Sequence, residues 1–170
     1  MAKKVFIIAE AGVNHDGSID KALRLIDIAT DAGADAVKFQ TFRANQLAVK
    51  NTPKADYQVR QTGAVESQFE MLQKLELSFE MHKRLISHCE DRGIQFISTP
   101  FDIDSVLLLS SEFKLPRLKI PSGEITNGPL LLAAARTGKQ IILSTGMATL
   151  DEISVALDVL AYGYLENDKH

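Results

Sequence analysis

Short β-branched runs alternate with longer stretches whose apolar residues recur at helical spacing, from Val5 to Ala161. Val5 to Ala9 reads as a strand. Ile19 to Ala32 reads as a helix, because Ala22, Leu25, Ile26 and Ala29 fall on one stripe and Gly33 stands where a helix stops. A second strand covers Ala36 to Gln40, and a long polar connection follows from Thr41 to about Leu77. Then come a helix from Phe79 to Asp91, between a capping Ser78 and Gly93, and a strand from Ile94 to Ser98. A third helix is expected from Ile103 to Phe113, with Asp102 as its cap. The remaining pattern predicts strand Arg117 to Ile120, helix Pro129 to Thr137, strand Gln140 to Ser144 and a last helix from about Leu150 to Ala161.

Repeated strand–helix units build a parallel sheet with right-handed crossovers, so every strand's carboxyl end faces the same side. Two architectures use such units: the doubly wound open sheet and the closed eight-stranded barrel. The turn after the first strand, Ala11-Gly12-Val13-Asn14-His15-Asp16-Gly17, lacks the G-x-G-x-x-G spacing of a dinucleotide binder. The expected fold class is therefore α/β, a TIM-type (β/α) barrel truncated to about five βα units. Residues 1–170 are then the N-terminal portion of an eight-unit barrel. An open five-stranded sheet would leave unpaired backbone groups on its first and last strands.

Polarity gathers at the predicted strand ends. Glu10 follows the first strand, Lys38 and Gln40 close the second, Ser98-Thr99 closes the third, and Lys119-Ile120-Pro121-Ser122-Gly123-Glu124 closes the fourth. Lys38 and Gln40 are two apart on a strand and share a face, while Val37 and Phe39 turn toward helices. An unpaired buried ammonium is costly, so Lys38 must meet an anion: a bound ligand, or a neighbouring carboxylate such as Glu10. Lys119, between Leu118 and Ile120, is in the same position. Two ammonium groups with the hydroxyls of Thr99 and Ser122 suit a phosphate or a phosphorylated carboxylic acid; the alternative is a polar network internal to the barrel. Glu10 and Glu124 supply carboxylates that nearby lysines keep ionised, which favours a base over an acid. Ser144-Thr145-Gly146-Met147 puts further hydroxyls after the fifth strand. His15 lies in the loop after the first strand, and a lone loop histidine reads as a hydrogen-bonding group. His82 and His88, six apart on one helix, do not share a metal-binding face. Gly12, Gly33, Gly93 and Gly138 read as turn or stop residues.

With 170 residues, 45% of them hydrophobic, the chain can bury a core of about one domain. A net charge of −3 and few aromatics argue against nucleic acid as a partner. After Met1-Ala2-Lys3-Lys4 the apolar run is too short for a signal peptide, and no stretch reaches the ~18 apolar residues of a membrane span. The single cysteine, Cys89, allows no intrachain disulfide and reads as a buried apolar residue, which fits a cytoplasmic location.

Taken together, Ile8-Ala9-Glu10-Ala11-Gly12-Val13-Asn14-His15-Asp16-Gly17, Val37-Lys38-Phe39-Gln40-Thr41, Ser98-Thr99-Pro100-Phe101-Asp102, Lys119 to Glu124 and Leu143-Ser144-Thr145-Gly146-Met147 resemble the N-terminal part of sialic acid synthases of the N-acetylneuraminate and legionaminate type. Lys54-Ala55-Asp56-Tyr57-Gln58 and Lys74-Leu75-Glu76-Leu77-Ser78 resemble it too. The resemblance implies condensation of phosphoenolpyruvate with an N-acetylated aminosugar aldehyde, such as N-acetylmannosamine, giving a nine-carbon sialic acid and phosphate. It implies a divalent metal, Mn2+ or Mg2+, and a homo-oligomer. It implies that Lys38, Thr99, Lys119 and Ser122 hold phosphoenolpyruvate, that Glu124 activates water, and that Glu10 and Gln40 lie by the substrates; Ser144 joins them as a substrate-binding candidate. The family's metal-binding histidines come from later strands, and an antifreeze-like domain follows the barrel. This sequence reaches His170 before either, and His170 matches no metal-ligand motif, so no metal ligand is expected here and little activity is expected of the chain alone. Two alternatives stand beside this reading: another phosphoenolpyruvate–aldehyde condensing barrel, and a non-catalytic half-barrel that assembles through its exposed strand edges.

Overall fold

The computed structural model describes residues 5–48 and 67–167. The Lys54–Gln58 motif, the basic Met1-Ala2-Lys3-Lys4 and His170 lie outside the described residues. Five parallel strands alternate with helices: β1 (Ile8–Gly12), α1 (Ile19–Asp31), β2 (Ala36–Thr41), a short α2 (Ala44–Leu47), α3 (Gln68–Leu75), α4 (Phe79–Arg92), β3 (Gln95–Pro100), α5 (Ile103–Leu107), β4 (Arg117–Ile120), α6 (Gly128–Arg136), β5 (Gln140–Leu143) and α7 (Leu150–Asn167). The α/β class and the order of units agree with the periodicity. Instead of one continuous ladder, the strands form two, β1-β2-β3 and β4-β5; β4 lies beside β3 without ladder bonds.

Three departures from the expected pattern have local reasons. The first strand starts at Ile8 because β2 begins only at Ala36, its partner. Ile7 is held instead by Asp35, whose carboxylate accepts from the Ile7 amide at 2.8 Å, and Val5 to Ile7 stay exposed. The helix after β3 is α-helical only to Leu107. It widens to a π-turn over Leu108–Glu112, after which Phe113 stacks on Phe79 and His82 with ring centroids 4.9 and 5.4 Å apart. The polar connection after β2 carries α2 and α3, the latter opened by a reciprocal capping box between Ser67 and Glu70.

Strand alternation divides the side chains between two layers. Val37 and Phe39 on β2, Phe96 on β3, and Leu118 and Ile120 on β4 are buried in one core with Ala22 and Ile26 of α1, Leu85 of α4 and Leu130, Leu131 and Ala134 of α6. Each such large side chain contributes about 1.5–3 kcal/mol when fully buried. The same alternation leaves Lys38, Gln40, Thr99 and Lys119 on the opposite face. The caps expected of Ser78 and Asp102 form: their side chains accept from the amides of Met81 and Ser105. Gly93 stops α4 in the left-handed region at φ 69°.

Cys89 sits within this core, and burial pushes its thiol up to about 12. The thiolate is the reactive form, so Cys89 should resist a thiol reagent at pH 8 in the folded chain and react fully once urea unfolds it. Rapid labelling under native conditions would contradict the packing.

Candidate active site

The carboxyl ends of β1, β2 and β3 are brought together by register. Glu10 pairs with Lys38 across β1 and β2, and Gln40 with Thr99 across β2 and β3. The Lys38 ammonium donates to Glu10 Oε2 at 2.8 Å and to Thr99 Oγ1 at 3.0 Å. Lys38 is 8% exposed, whereas the Glu10 side chain is more than half exposed. The lysine is therefore the anchored partner, and the carboxylate reaches it from the open side. Of the two anions the sequence left open for Lys38, Glu10 is present, but it leaves part of the ammonium's donor capacity toward the mouth.

β1 reaches this cluster through an irregularity. Between Glu10 and Gly12 the register slips by one residue, and Gly12 takes φ 54°. A Cβ at Gly12 would lie 3.2 Å from Glu10 Oε1 and 3.6 Å from Gln40 Nε2. Gly12 is thus more than a turn residue: its missing side chain leaves room for the Glu10 carboxylate beside the Gln40 amide.

Lys119 comes from β4, and its ammonium donates to the carbonyl of Ile120 at 3.1 Å. Burial lowers its pKa first, the neighbouring Lys38 charge lowers it further, and Glu10 pulls in the opposite direction. Two ammonium groups therefore face one carboxylate across the ladder break, an arrangement that favours a further anion. Past β4, a 3-10 turn over Ser122–Glu124 carries the next candidates. Ser122 Oγ lies 3.6 Å from where a Cβ of Gly146 would stand, so the loop after β5 closes against this turn. Ser144 extends that approach by donating its amide to the Ile120 carbonyl at 3.0 Å. Glu124 accepts from the side-chain amide of Asn127 at 2.7 Å.

Sequence reasoning missed Asn127, which caps α6 through its side-chain oxygen and holds Glu124 through its nitrogen. The signal was there in Asn127-Gly128-Pro129, a helix-start pattern. It also missed a clamp at the rim. The Asp102 carboxylate accepts from the Arg43 amide at 2.8 Å, and Glu76 binds both the Arg43 guanidinium at 2.8 Å and the Ala44 amide at 3.0 Å. Nothing local in the sequence pairs residues that far apart.

The described histidines fall elsewhere than the mouth. His15 is fully buried against Phe39; its Nδ1 accepts from the Gly17 amide at 3.0 Å, and burial lowers its pKa. His88 pairs with Asp27 at 2.9 Å on the surface between α1 and α4. Among the described residues no three His, Cys, Asp or Glu side chains gather as a metal would require, and Glu10 is already committed to Lys38. These residues do not fit a divalent-metal site.

The model of the NeuB family matches residues 25–169. The chain belongs to the NeuB family. NeuB-family relatives agree with the match: an N,N'-diacetyllegionaminic acid synthase of Campylobacter jejuni is 55% identical over 93% of this chain and 47% of that protein. One of the same name from Legionella pneumophila is 49% identical over 91% of this chain and 43% of its own length. A crystal structure of an N-acetylneuraminic acid synthetase from Leptospira borgpetersenii, in complex with citrate, superimposes with a TM-score of 0.79 at 34% identity, covering 95% of this chain and 52% of that one. The chain spans about half the length of these NeuB-family relatives. Among the described residues, no helix is long and apolar enough to cross a membrane.

Proposed function

We propose that this chain carries the phosphoenolpyruvate half of a sialic acid synthase site, and that the protein it represents condenses phosphoenolpyruvate with an N-acetylated aminosugar aldehyde to a nine-carbon sialic acid and phosphate. The observation behind this reading is the buried Lys38 ammonium, held by Glu10 and Thr99 with Lys119 beside it, which leaves an excess of positive charge at the strand ends. Lys38, Lys119, Thr99 and Ser122 bind the phosphate and carboxylate oxygens, and Ser144 closes the site from the loop after β5. Gln40 and Glu10 orient the second substrate. Glu124, held in place by the side-chain amide of Asn127, takes a proton from the water that adds to the enol-derived carbon. The names of the two legionaminic acid synthases favour a diacetylated aminosugar over N-acetylmannosamine.

The five units form the first part of a (β/α)8 barrel, in which, among the described residues, β1 and β5 are each paired on one side only. A divalent cation, implied by the family resemblance for the whole enzyme, would supply electrophilic activation of the aldehyde, and the roles of these residues do not depend on it. The protein is cytoplasmic and a homo-oligomer.

The test is calorimetric titration of the purified chain with phosphoenolpyruvate and, separately, inorganic phosphate, beside turnover assays with several aldehyde sugars. Saturable binding of phosphoenolpyruvate, tighter than phosphate, is expected. A folded chain that binds neither would overturn the reading, and turnover with a non-acylated sugar alone would favour a different condensing barrel.

The lowered pKa of Lys119 gives a pH signature. Its ordinary value is 10.5, and the folded value lies below it. Affinity for phosphoenolpyruvate should therefore decline as pH rises toward 10.5, earlier than an ordinary lysine would allow, and Lys119→Arg should flatten the decline. In the free chain the same shift makes stability rise with pH over that window, because the unfolded lysine binds more protons there. A pH-independent affinity in the parent up to 10 would refute the assignment.

A further inference from the structure

A buried polar chain runs behind the proposed anion site, on the helix-facing side of β2 and β3. Thr41 Oγ1 lies 2.6 Å from Ser98 Oγ and 2.9 Å from His82 Nε2, and His82 Nδ1 lies 2.9 Å from the carbonyl of Ser78, the cap of α4. All three side chains are buried. The direction of each bond follows by elimination. The Ser78 carbonyl only accepts, so Nδ1 carries the imidazole proton. Burial lowers the pKa of His82 against the opposing pull of the Ser78 carbonyl, with Arg43 and His15 adding to the lowering; in the neutral ring this favours, Nε2 is an acceptor and the Thr41 hydroxyl donates to it. That leaves Ser98 to donate to Thr41. Each hydroxyl and both ring nitrogens are used in one consistent arrangement.

Its two strand members each sit one step from a residue of the site. Thr41 follows Gln40, and Ser98 precedes Thr99, the lysine's hydroxyl partner; Gln40 and Thr99 face each other in the ladder. The chain therefore joins the last rungs of two strands to the first turn of α4 on the face opposite the ligand, where it touches no reacting atom. The ladder is already continued by the Phe101 amide donating to the Thr41 carbonyl at 3.1 Å, so the hydroxyl is not needed for pairing. What it adds is a fixed position for the strand end relative to α4.

We propose that Thr41, held between His82 and Ser98, is a positioning residue for anion binding that acts through Gln40 and Thr99. This rests on the phosphoenolpyruvate reading above. The variants are Thr41→Val, which keeps the shape and removes the hydroxyl, and Thr41→Ser, which keeps the hydroxyl. Calorimetry with phosphoenolpyruvate and thermal melting are run on both. Thr41→Val should weaken binding by about tenfold and Thr41→Ser by no more than about twofold, because a small misplacement of binding groups is costly while the serine restores the donor. Thr41→Val with a lowered melting temperature but parental affinity would make the chain purely structural and overturn the proposal. So would an equal loss of affinity in Thr41→Ser. If Thr41→Val does not fold, Ser98→Ala removes the far hydroxyl instead, and unchanged affinity there is equally fatal. A parent chain that binds no phosphoenolpyruvate overturns the functional reading alone. The positioning claim is then decided by nuclear magnetic resonance: it stands if Thr41→Val, unlike Thr41→Ser, shifts the side-chain signals of Gln40 and Lys38, and falls if it does not.

Discussion

Lys38→Met should lower affinity for phosphoenolpyruvate by about 100-fold while leaving the melting temperature nearly unchanged. A hydrogen bond to a charged group contributes about 1.5–3 kcal/mol, which is roughly a 10- to 100-fold change in affinity. Here the loss is larger than one bond. Without the ammonium, Glu10 stands as a bare carboxylate at the mouth and repels an anionic ligand. Stability behaves differently, because Glu10 is exposed enough to regain water when its partner is removed, and a methionine keeps the apolar stem of the lysine in place. Lys38→Met,Glu10→Gln tests the argument. If repulsion by Glu10 is part of the loss, the double variant recovers some affinity; if the single variant binds like the parent, Lys38 has no role in holding the ligand. Both are read by the same titration, with circular dichroism melts as the folding control.

The largest effect on stability is expected at Gly17. Its φ of 75° lies in the left-handed region, and a Cβ there would collide with the backbone carbonyl of Lys74 at the end of α3. A backbone atom cannot swing aside as a flexible side chain can. Gly17→Ala should therefore cost about 3 kcal/mol or more, combining local strain with the displacement of one element from another. For a domain of this size that corresponds to a fall of about 6–12 °C in melting temperature. Gly33→Ala is the matched control: φ is 78°, but nothing lies within 4 Å of the added carbon, so only the strain of about 1 kcal/mol remains. Equal shifts for the two variants would mean that the loop after β1 does not rest on α3. Because the Gly17 amide also donates to His15, the variant should loosen the buried imidazole.

Much of the fold was legible because its causes are local. The stripe of Ala22, Ile26 and Ala29 makes α1, Ser78 and Asp102 cap the helices they precede, and alternation in Ala36–Thr41 sends Val37 and Phe39 to the core and Lys38 and Gln40 to the other face. The meeting of Lys38 with Glu10 was open to the same reasoning, since a buried ammonium needs a partner. Other features were not legible. The slipped register at Gly12 depends on how β1 lies against β2, and the π-turn depends on where Phe113 finds Phe79 and His82. Ser98 and Thr99 are adjacent in the chain and equally polar, yet one serves the helix layer and the other serves Lys38.

The sequence by itself determined the α/β order of units, the helix caps and the family, because periodicity, capping and short motifs are written in neighbouring residues. Only the tertiary structure decided which other polar groups meet: Lys38 with Thr99, Glu124 with Asn127, Arg43 with Glu76 and Asp102, and Thr41 with His82. Hydrogen bonds and ion pairs act over a few ångströms, so their partners are set by strand register and loop closure, which no local pattern specifies.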